Sequence, residues 1–207
     1  MSNIPNVLFN ELLKEIVSPL MRERGYTRRR NTFYLPYAGN YGLINFQKSV
    51  SNNSETLRFT INLGVASARL LDFLATKHQG LDLLIDDCHW SSRIGFFLSP
   101  PHDKWWTINA GTSLAEVGRE INGCLIEIAV PEVEKHLSDT ALRDLWLSGN
   151  SPGLTSFQRL VYLSLLLKTI GPRDLLEDTI NQIKLNSEND PSNIGATYYL
   201  DQLKKVH

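Results

Sequence analysis

The stretch that decides the fold is YGLINFQKSVSNNSETLRFTINLGV, residues 41–65. Apolar and polar side chains alternate on both sides of the turn-forming residues SNNS, which predicts a half-buried antiparallel hairpin. If Val50 faces Glu55, then Ile44 faces Ile61 and Phe46 faces Phe59. This register gives one apolar face and one polar face. The polar face carries Asn45, Gln47, Arg58, Thr60 and Asn62.

Further strands are predicted on both sides of this hairpin. The segment YTRRRNTFYLPY (26–37) indicates two short strands joined by a tight turn at Arg30 and Asn31. In WSSRIGFFLS (90–99) alternate residues are apolar, which predicts a strand with Arg93 on its polar side; its core-facing residues are Trp90, Ile94, Phe96 and Leu98. After the turn at PPHD, KWWTI (104–108) predicts another short strand.

The two ends of the chain have helical patterns. Residues 3–24 have apolar side chains at helical spacing, with Pro19 positioned to kink the last turn. Residues 66–86 predict a helix and an irregular segment, separated at Gly80. Helices follow from the capping box at Ser113 onward, with a new segment opening at Pro131. After GNSPG (149–153) three more helices are expected, in 154–171, 172–186 and 191–207.

These elements predict an α+β fold. An N-terminal helix packs on a mostly antiparallel sheet, and a C-terminal helical part follows. The predicted boundary lies at GNSPG, which gives an α+β domain over residues 1–148 and a C-terminal helical extension over residues 149–207.

The amino-acid composition and net charge limit the classes of protein to which this chain can belong. Hydrophobic residues make up 42% and charged residues 21% of the 207 residues, as is usual for a globular protein. The net charge of −1 gives no overall basic surface for nucleic acid or an anionic membrane. No secretory signal is visible, and the most apolar run, 160–170, is too short to cross a bilayer, so we expect a cytoplasmic protein.

The candidate catalytic and metal-binding side chains are concentrated in residues 86–103. Cys88 and His89 are adjacent, so in a strand their side chains point to opposite faces and cannot easily bind one ion; we expect neither a metal nor a cofactor. Ser91, Ser92 or Cys88 beside a histidine supplies a nucleophile and a base, but no third group that would orient them is evident.

A binding surface is supported by more features. If the predicted strands are neighbours, one sheet face presents amides, two arginines and an aromatic edge, and arginine forks match carboxylate or phosphate groups. The candidate binding residues are Asn45, Gln47, Arg58, Asn62, Arg93, Trp105 and Trp106. An alternative stays open, in which helices cover this face and the arginines pair with carboxylates such as Asp103 or Glu116.

The densest basic run is RERGYTRRR, residues 22–30, with five arginines in nine residues. Arg22 and Arg24 suit the C-terminal end of a helix, where a cation is stabilised by the helix dipole. We expect this run to be a solvated basic edge.

Four segments together resemble a bacterial family known as domain of unknown function 4304. They are RERGYTRRRNTFY, INFQKSVSNNSETLRFTINLGV, CHWSSRIG and DKWW, in this order. The resemblance extends from about Phe9 to about Trp146 and leaves out the C-terminal helices. By its name the family implies no reaction, so the resemblance bears on fold and boundaries.

The function expected from these residues is that of a non-enzymatic binding protein acting through the polar sheet face. Its partner would be a protein or a small anionic ligand, rather than a membrane or a nucleic acid. Toxin neutralisation or phage defence in a bacterium would suit such a module. The alternative is a hydrolase or nuclease-like enzyme with a polar pocket of Arg58, Arg93, His89 and His102.

Overall fold

A computed structural model describes residues 4–189 and 195–206. Within this part of the chain, six strands form one antiparallel sheet: β1 (Thr27–Arg29), β2 (Thr32–Tyr37), β3 (Asn40–Lys48), β4 (Thr56–Ala66), β5 (Trp90–Arg93) and β6 (Trp106–Asn109). The order across the sheet is β1-β2-β3-β4-β5, and β6 pairs with the other half of the same edge of β4. The prediction of an α+β fold with an antiparallel sheet is confirmed.

The β3–β4 hairpin has the predicted faces but not the predicted register. Phe46 lies opposite Ile61 rather than Phe59, a shift of two residues that leaves every side chain on its expected face. The loop is longer than expected because asparagine side chains organise it. Asn52 accepts a hydrogen bond from the Arg58 backbone N–H (2.7 Å) and donates one to its carbonyl (3.0 Å), while Asn53 accepts from the N–H groups of Glu55 and Thr56.

The N-terminal helix is continuous from α1 (Ile4–Glu11) through a π-helical segment (Leu12–Val17) to α2 (Ser18–Glu23). A second long helix repeats this pattern, with α4 (Leu114–Cys124), a π-helical segment (Leu125–Ala129) and α5 (Val130–His136). Each π-helical segment ends two residues before a proline, Pro19 or Pro131, whose missing N–H interrupts the regular hydrogen bonding. The segment predicted to open at Pro131 therefore continues the preceding helix.

The remaining helices are α3 (Ala68–Phe73), α6 (Asp139–Leu147), α7 (Ser156–Ile170), α8 (Leu176–Asn189) and α9 (Ala196–Lys205). Gly80 starts a short 3-10 turn, at the position where the sequence predicts the end of regular helix. The expected start of the last helix at Pro191 lies outside the described residues.

One apolar core joins the sheet to both helical regions. The apolar face of β3 and β4 packs against the N-terminal helix, where Phe9 meets Phe59 edge to face at 5.1 Å between ring centroids. The same core includes Leu163 and Leu166 of α7 and Leu203 of α9. The opposite face of the sheet is covered at one end, where a second apolar cluster joins Leu43 and Ala66 to Leu83. The polar part of this face, around Gln47 and Arg93, is therefore the part available for a site.

The strand predicted over residues 90–99 is correct only as far as Arg93. Ile94–Phe97 form a 3-10 turn, which breaks the alternation, so that Ile94 is buried but Phe96 is 63% exposed. The assignment of Phe96 to the core was wrong. Gly95 lies against the backbone of the 102–104 segment so closely that a Cβ there would overlap the His102 carbonyl, and the chain folds back on itself at this point.

Candidate functional site

The polar face of the sheet brings together side chains from three neighbouring strands. Asn62 of β4 pairs in register with Arg93 of β5, and its amide donates a hydrogen bond to the Gln47 side-chain oxygen on β3 (2.7 Å). Asn45 lies on the same face but points its amide to the Thr32 hydroxyl at 2.8 Å. Gln47, Asn62 and Arg93 therefore form the centre of this face, with Asn45 to one side.

Arg58, Arg93, Asp103 and Trp105 form a second group, the arginine–tryptophan cluster. The guanidinium carbons of Arg58 and Arg93 lie 5.4 Å and 5.5 Å from the Trp105 ring centroid, within the range of cation–π attraction. Asp103 accepts hydrogen bonds from the Trp105 indole N–H and from Arg93, each at 2.8 Å. The hydrogen bond from Trp105, followed by that from Arg93, lowers the pKa of Asp103.

Trp106 does not share this surface. It lies in β6 on the apolar face, is 4% exposed and stacks on Phe59 at 5.7 Å between ring centroids. Neighbouring residues in a strand point to opposite faces, so only one of the two tryptophans belongs to the polar face. The inclusion of Trp106 among the candidate binding residues is corrected to Trp105 alone.

An open groove of about 1020 Å³ runs beside the centre of the polar face. It contains three of the candidate residues, Gln47, Asn62 and Arg93. Its other lining residues are Ile85, Asp86, Ser91, Ser92, Phe96, Phe97, Asp103, Pro152 and Gly153. Asn45, Arg58 and Trp105 do not line the groove, although Trp105 and Arg58 adjoin it through the arginine–tryptophan cluster.

The loop GNSPG forms one wall of this groove. A Cβ on Gly153 would lie 2.6 Å from the Ser91 hydroxyl and 3.1 Å from the Ser91 carbonyl, which shows how closely this loop packs on β5. The sequence predicts a boundary at these residues, and no local pattern predicts that they contact β5. Phe96 was also missed, because the alternation of apolar residues assigned it to the core.

The histidines near β5 lie outside the groove lining. His89 is 2% exposed, and its Nδ1 accepts a hydrogen bond from the Ser67 backbone N–H at 3.0 Å. Burial lowers the pKa of His89 to about 4, so it is neutral at pH 7. His102 is exposed, with Nδ1 2.9 Å from the Pro100 carbonyl oxygen. Arg58 and Arg93 therefore meet at Trp105, but neither histidine lines the groove that contains Arg93.

Cys88 lies in an environment that disfavours its thiolate form. Burial raises the pKa of the Cys88 thiol, and the thiol donates to the Leu84 carbonyl at 3.6 Å. Within residues 4–189 and 195–206, no group of three or more histidine, cysteine, aspartate and glutamate side chains is arranged to hold a metal ion.

Comparison with known families gives one match. The model of a family described as a domain of unknown function, DUF4304, matches residues 17–135. These residues include the whole sheet and the second long helix up to Lys135, but only the last part of the N-terminal helix, from Val17 onward. The chain belongs to this family. The match is shorter at both ends than the resemblance over residues 9–146 suggested. No curated protein and no solved structure matches the chain.

In the described part of the chain, no helix combines the length and the apolar character needed to cross a bilayer.

Proposed function

We propose that this DUF4304 chain is a non-enzymatic binding protein whose recognition surface is the groove on the polar face of the sheet, together with the arginine–tryptophan cluster. The observation that supports the proposal is the convergence of Gln47, Asn62 and Arg93 on one open groove beside an exposed Phe96. Recognition sites commonly combine aromatic anchors with a few fixed polar groups, and this surface has both.

The groove suits an extended segment of a protein partner better than a small anion. Its volume of about 1020 Å³ is at the upper end of small-molecule sites, and it is open along the sheet. Asp103 already pairs with Arg93, so an internal carboxylate neutralises part of the positive charge that would attract an anionic ligand. A polypeptide instead offers backbone donors and acceptors to the amides and hydroxyls, and an apolar side chain to Phe96 and Phe97.

The biological setting belongs to the same proposal. A binding module of this kind would act in the cytoplasm of a bacterial cell, where toxin neutralisation or phage defence would use a protein-binding groove. The groove favours binding over the hydrolase or nuclease alternative, because neither His89 nor His102 lies among the groove residues.

Affinity capture from the native host tests the proposal. Wild-type protein is compared with Arg58→Ala/Arg93→Ala and with a matched control, Arg29→Ala/Arg69→Ala, which removes two exposed arginines that pair with carboxylates elsewhere. We expect at least one partner to be depleted about tenfold, equivalent to about 1.4 kcal/mol, by the first pair of changes and retained by the control. The same set of partners with all three proteins would contradict the proposal.

A further inference from the structure

A second cavity lies between the N-terminal helix and the β1–β2 hairpin, and it shares no lining residue with the groove. Its volume is about 540 Å³. Three cationic side chains line it, Lys14, Arg22 and Arg28, together with three hydroxyl-bearing residues, Ser18, Tyr26 and Thr27. No carboxylate is among its described lining residues. The cavity is therefore basic, although the whole chain has almost no net charge.

The helix contributes one row of these side chains. Lys14, Ser18 and Arg22 are spaced four residues apart, so they lie in successive turns on one helix face. Lys14 belongs to the π-helical segment and Ser18 follows it directly. π-helical segments often occur at functional sites, because the extra residue per turn repositions the side chains that follow.

Arg28 supplies the opposite wall from β1. Its Nη1 lies 3.4 Å from the Ser18 hydroxyl, and its Nε donates to the Arg30 carbonyl at 2.7 Å. These contacts leave guanidinium N–H groups available, since a guanidinium has five. The side chain is thus held across the cavity by neutral partners.

The cations that line the cavity are poorly neutralised by carboxylates of the protein itself. Within the described residues, the ion pairs within 4.0 Å include neither Arg22 nor Arg28. Lys14 pairs with Glu15, but both side chains are mostly exposed, and such pairs are weak. Burial lowers the pKa of Arg28, which means that its charge is partly removed from water without a carboxylate to compensate.

The helix dipole explains only part of this arrangement. It favours a cation in the last turn, which accounts for Arg22. It does not account for Lys14, which lies two turns earlier, or for Arg28, which lies on a strand. A ligand that carries negative charge accounts for all three.

We propose that this basic cavity binds a phosphate group, carried by a small phosphorylated molecule or present as free phosphate. Three cations suit the two negative charges of a phosphate monoester better than the single charge of a carboxylate, and guanidinium forks bind phosphate oxygens in pairs. The volume is within the range of about 300–1000 Å³ typical of small-molecule sites. It therefore has space for the rest of a phosphorylated small molecule.

Isothermal titration calorimetry of the full chain tests this proposal with adenosine monophosphate, orthophosphate, adenosine and acetate. We expect binding of adenosine monophosphate or orthophosphate, and none of adenosine. Tighter binding of the nucleotide would assign a phosphorylated small molecule, whereas equal binding would assign free phosphate. No binding of either phosphate compound at about 10 mM, or equally tight binding of acetate, would overturn the proposal.

Variants distinguish specific binding by the cavity residues from nonspecific electrostatic attraction to a basic surface. Arg28→Gln and Arg22→Gln should weaken binding at least about tenfold, and Arg28→Lys should also weaken it, because lysine keeps the charge but lacks the fork. Arg24→Gln is the matched control, since it removes an exposed arginine of the same basic run that does not line the cavity. Circular dichroism checks that each variant is folded. An equal loss in Arg24→Gln would contradict a site formed by these residues.

Discussion

His89 is a titratable group whose environment fixes its charge. It is buried, its Nδ1 accepts the Ser67 N–H, and its ring meets that of Tyr162 edge to face at 5.1 Å between centroids. Protonation at Nδ1 would place two donors against each other in a site without water access. The folded-state pKa of about 4 lies below the ordinary value of 6.5, so this histidine stabilises the fold fully above pH 6.5. That contribution is lost as the pH falls towards 4.

We predict that His89→Gln destabilises the protein more at pH 7 than at pH 4.5. At the lower pH the wild-type protein has already lost roughly 2–3 kcal/mol through proton binding to the unfolded chain, and glutamine has no such loss. Urea unfolding of both proteins at the two pH values measures the difference. Equal destabilisation of the variant at both pH values would show that the pKa of His89 is not depressed in the folded protein.

Gly153 tests the contact between the GNSPG loop and β5. Its φ of +79° disfavours any side chain, and a Cβ would also press on the hydroxyl and carbonyl of Ser91. We predict that Gly153→Ala lowers the free energy of unfolding by about 2–4 kcal/mol. Gly149→Ala is the control, because Gly149 has a similar φ of +86° and open space around its Cβ position, so its cost should be about 1 kcal/mol. Equal costs in chemical denaturation would show that the loop does not pack on β5 as described.

At the scale of elements, the alternation of apolar and polar residues predicts the sheet face on which each side chain lies. It does not predict where each strand ends or how long each loop is. The polar positions of β3 and β4 fall where the alternation places them, because a side-chain period of two does not depend on the loop. The register depends on the loop, where Asn52 and Asn53 replace strand pairing with side-chain hydrogen bonds. The end of β5 was missed for a similar reason, since the turn after Arg93 is stabilised by distant residues 102–104.

The hairpin loop gives a prediction at this scale. Asn52→Ala removes both side-chain hydrogen bonds to the Arg58 backbone and should lower the free energy of unfolding by roughly 1–2 kcal/mol. Ser54→Ala, at an exposed position of the same loop, should change it by no more than about 0.5 kcal/mol. Thermal and urea unfolding provide the comparison. Indistinguishable variants would mean that Asn52 does not organise the loop.

At the scale of the whole molecule, the C-terminal helices complete the core of the sheet domain. The Arg159 guanidinium of α7 donates to the Trp146 carbonyl at 2.8 Å, and the Tyr162 ring lies 5.8 Å from the fully buried Trp146 ring. The boundary between residues 148 and 149 separates two segments of sequence, whereas the buried surface is continuous across it. The sequence could not reveal this, because apolar helix faces do not specify which surface they cover.

We therefore predict that a fragment of residues 1–148 does not fold to the native state by itself. Truncation removes Leu163, Leu166 and Leu203 from the core and exposes Trp146, which is 0% exposed in the full chain. The expected result is loss of near-ultraviolet circular dichroism and binding of a hydrophobic dye, as in partly packed states. A fragment with native-like spectra and a cooperative unfolding transition would show instead that residues 1–148 are an independent domain.

For the candidate site, as for the fold, the sequence predicts the face on which a strand residue lies but not the contacts between distant segments. Gln47, Asn62 and Arg93 could be placed on one face from the sequence, because neighbouring strands share the same alternation. Phe96 and the GNSPG loop could not, since their position depends on a 3-10 turn and on packing between segments far apart in the chain. The sequence therefore predicts some of the groove residues but not the groove itself.

Photo-crosslinking in living host cells tests the central claim, that this groove is the recognition surface, most directly. Benzoylphenylalanine is incorporated at Phe96, which is 63% exposed in the groove, or at Tyr198, which is 60% exposed and outside it. We predict a crosslinked protein partner from position 96 that is absent from position 198 and is lost when Arg93→Ala is added. Crosslinks that are the same from both positions, or none from position 96, would contradict the account.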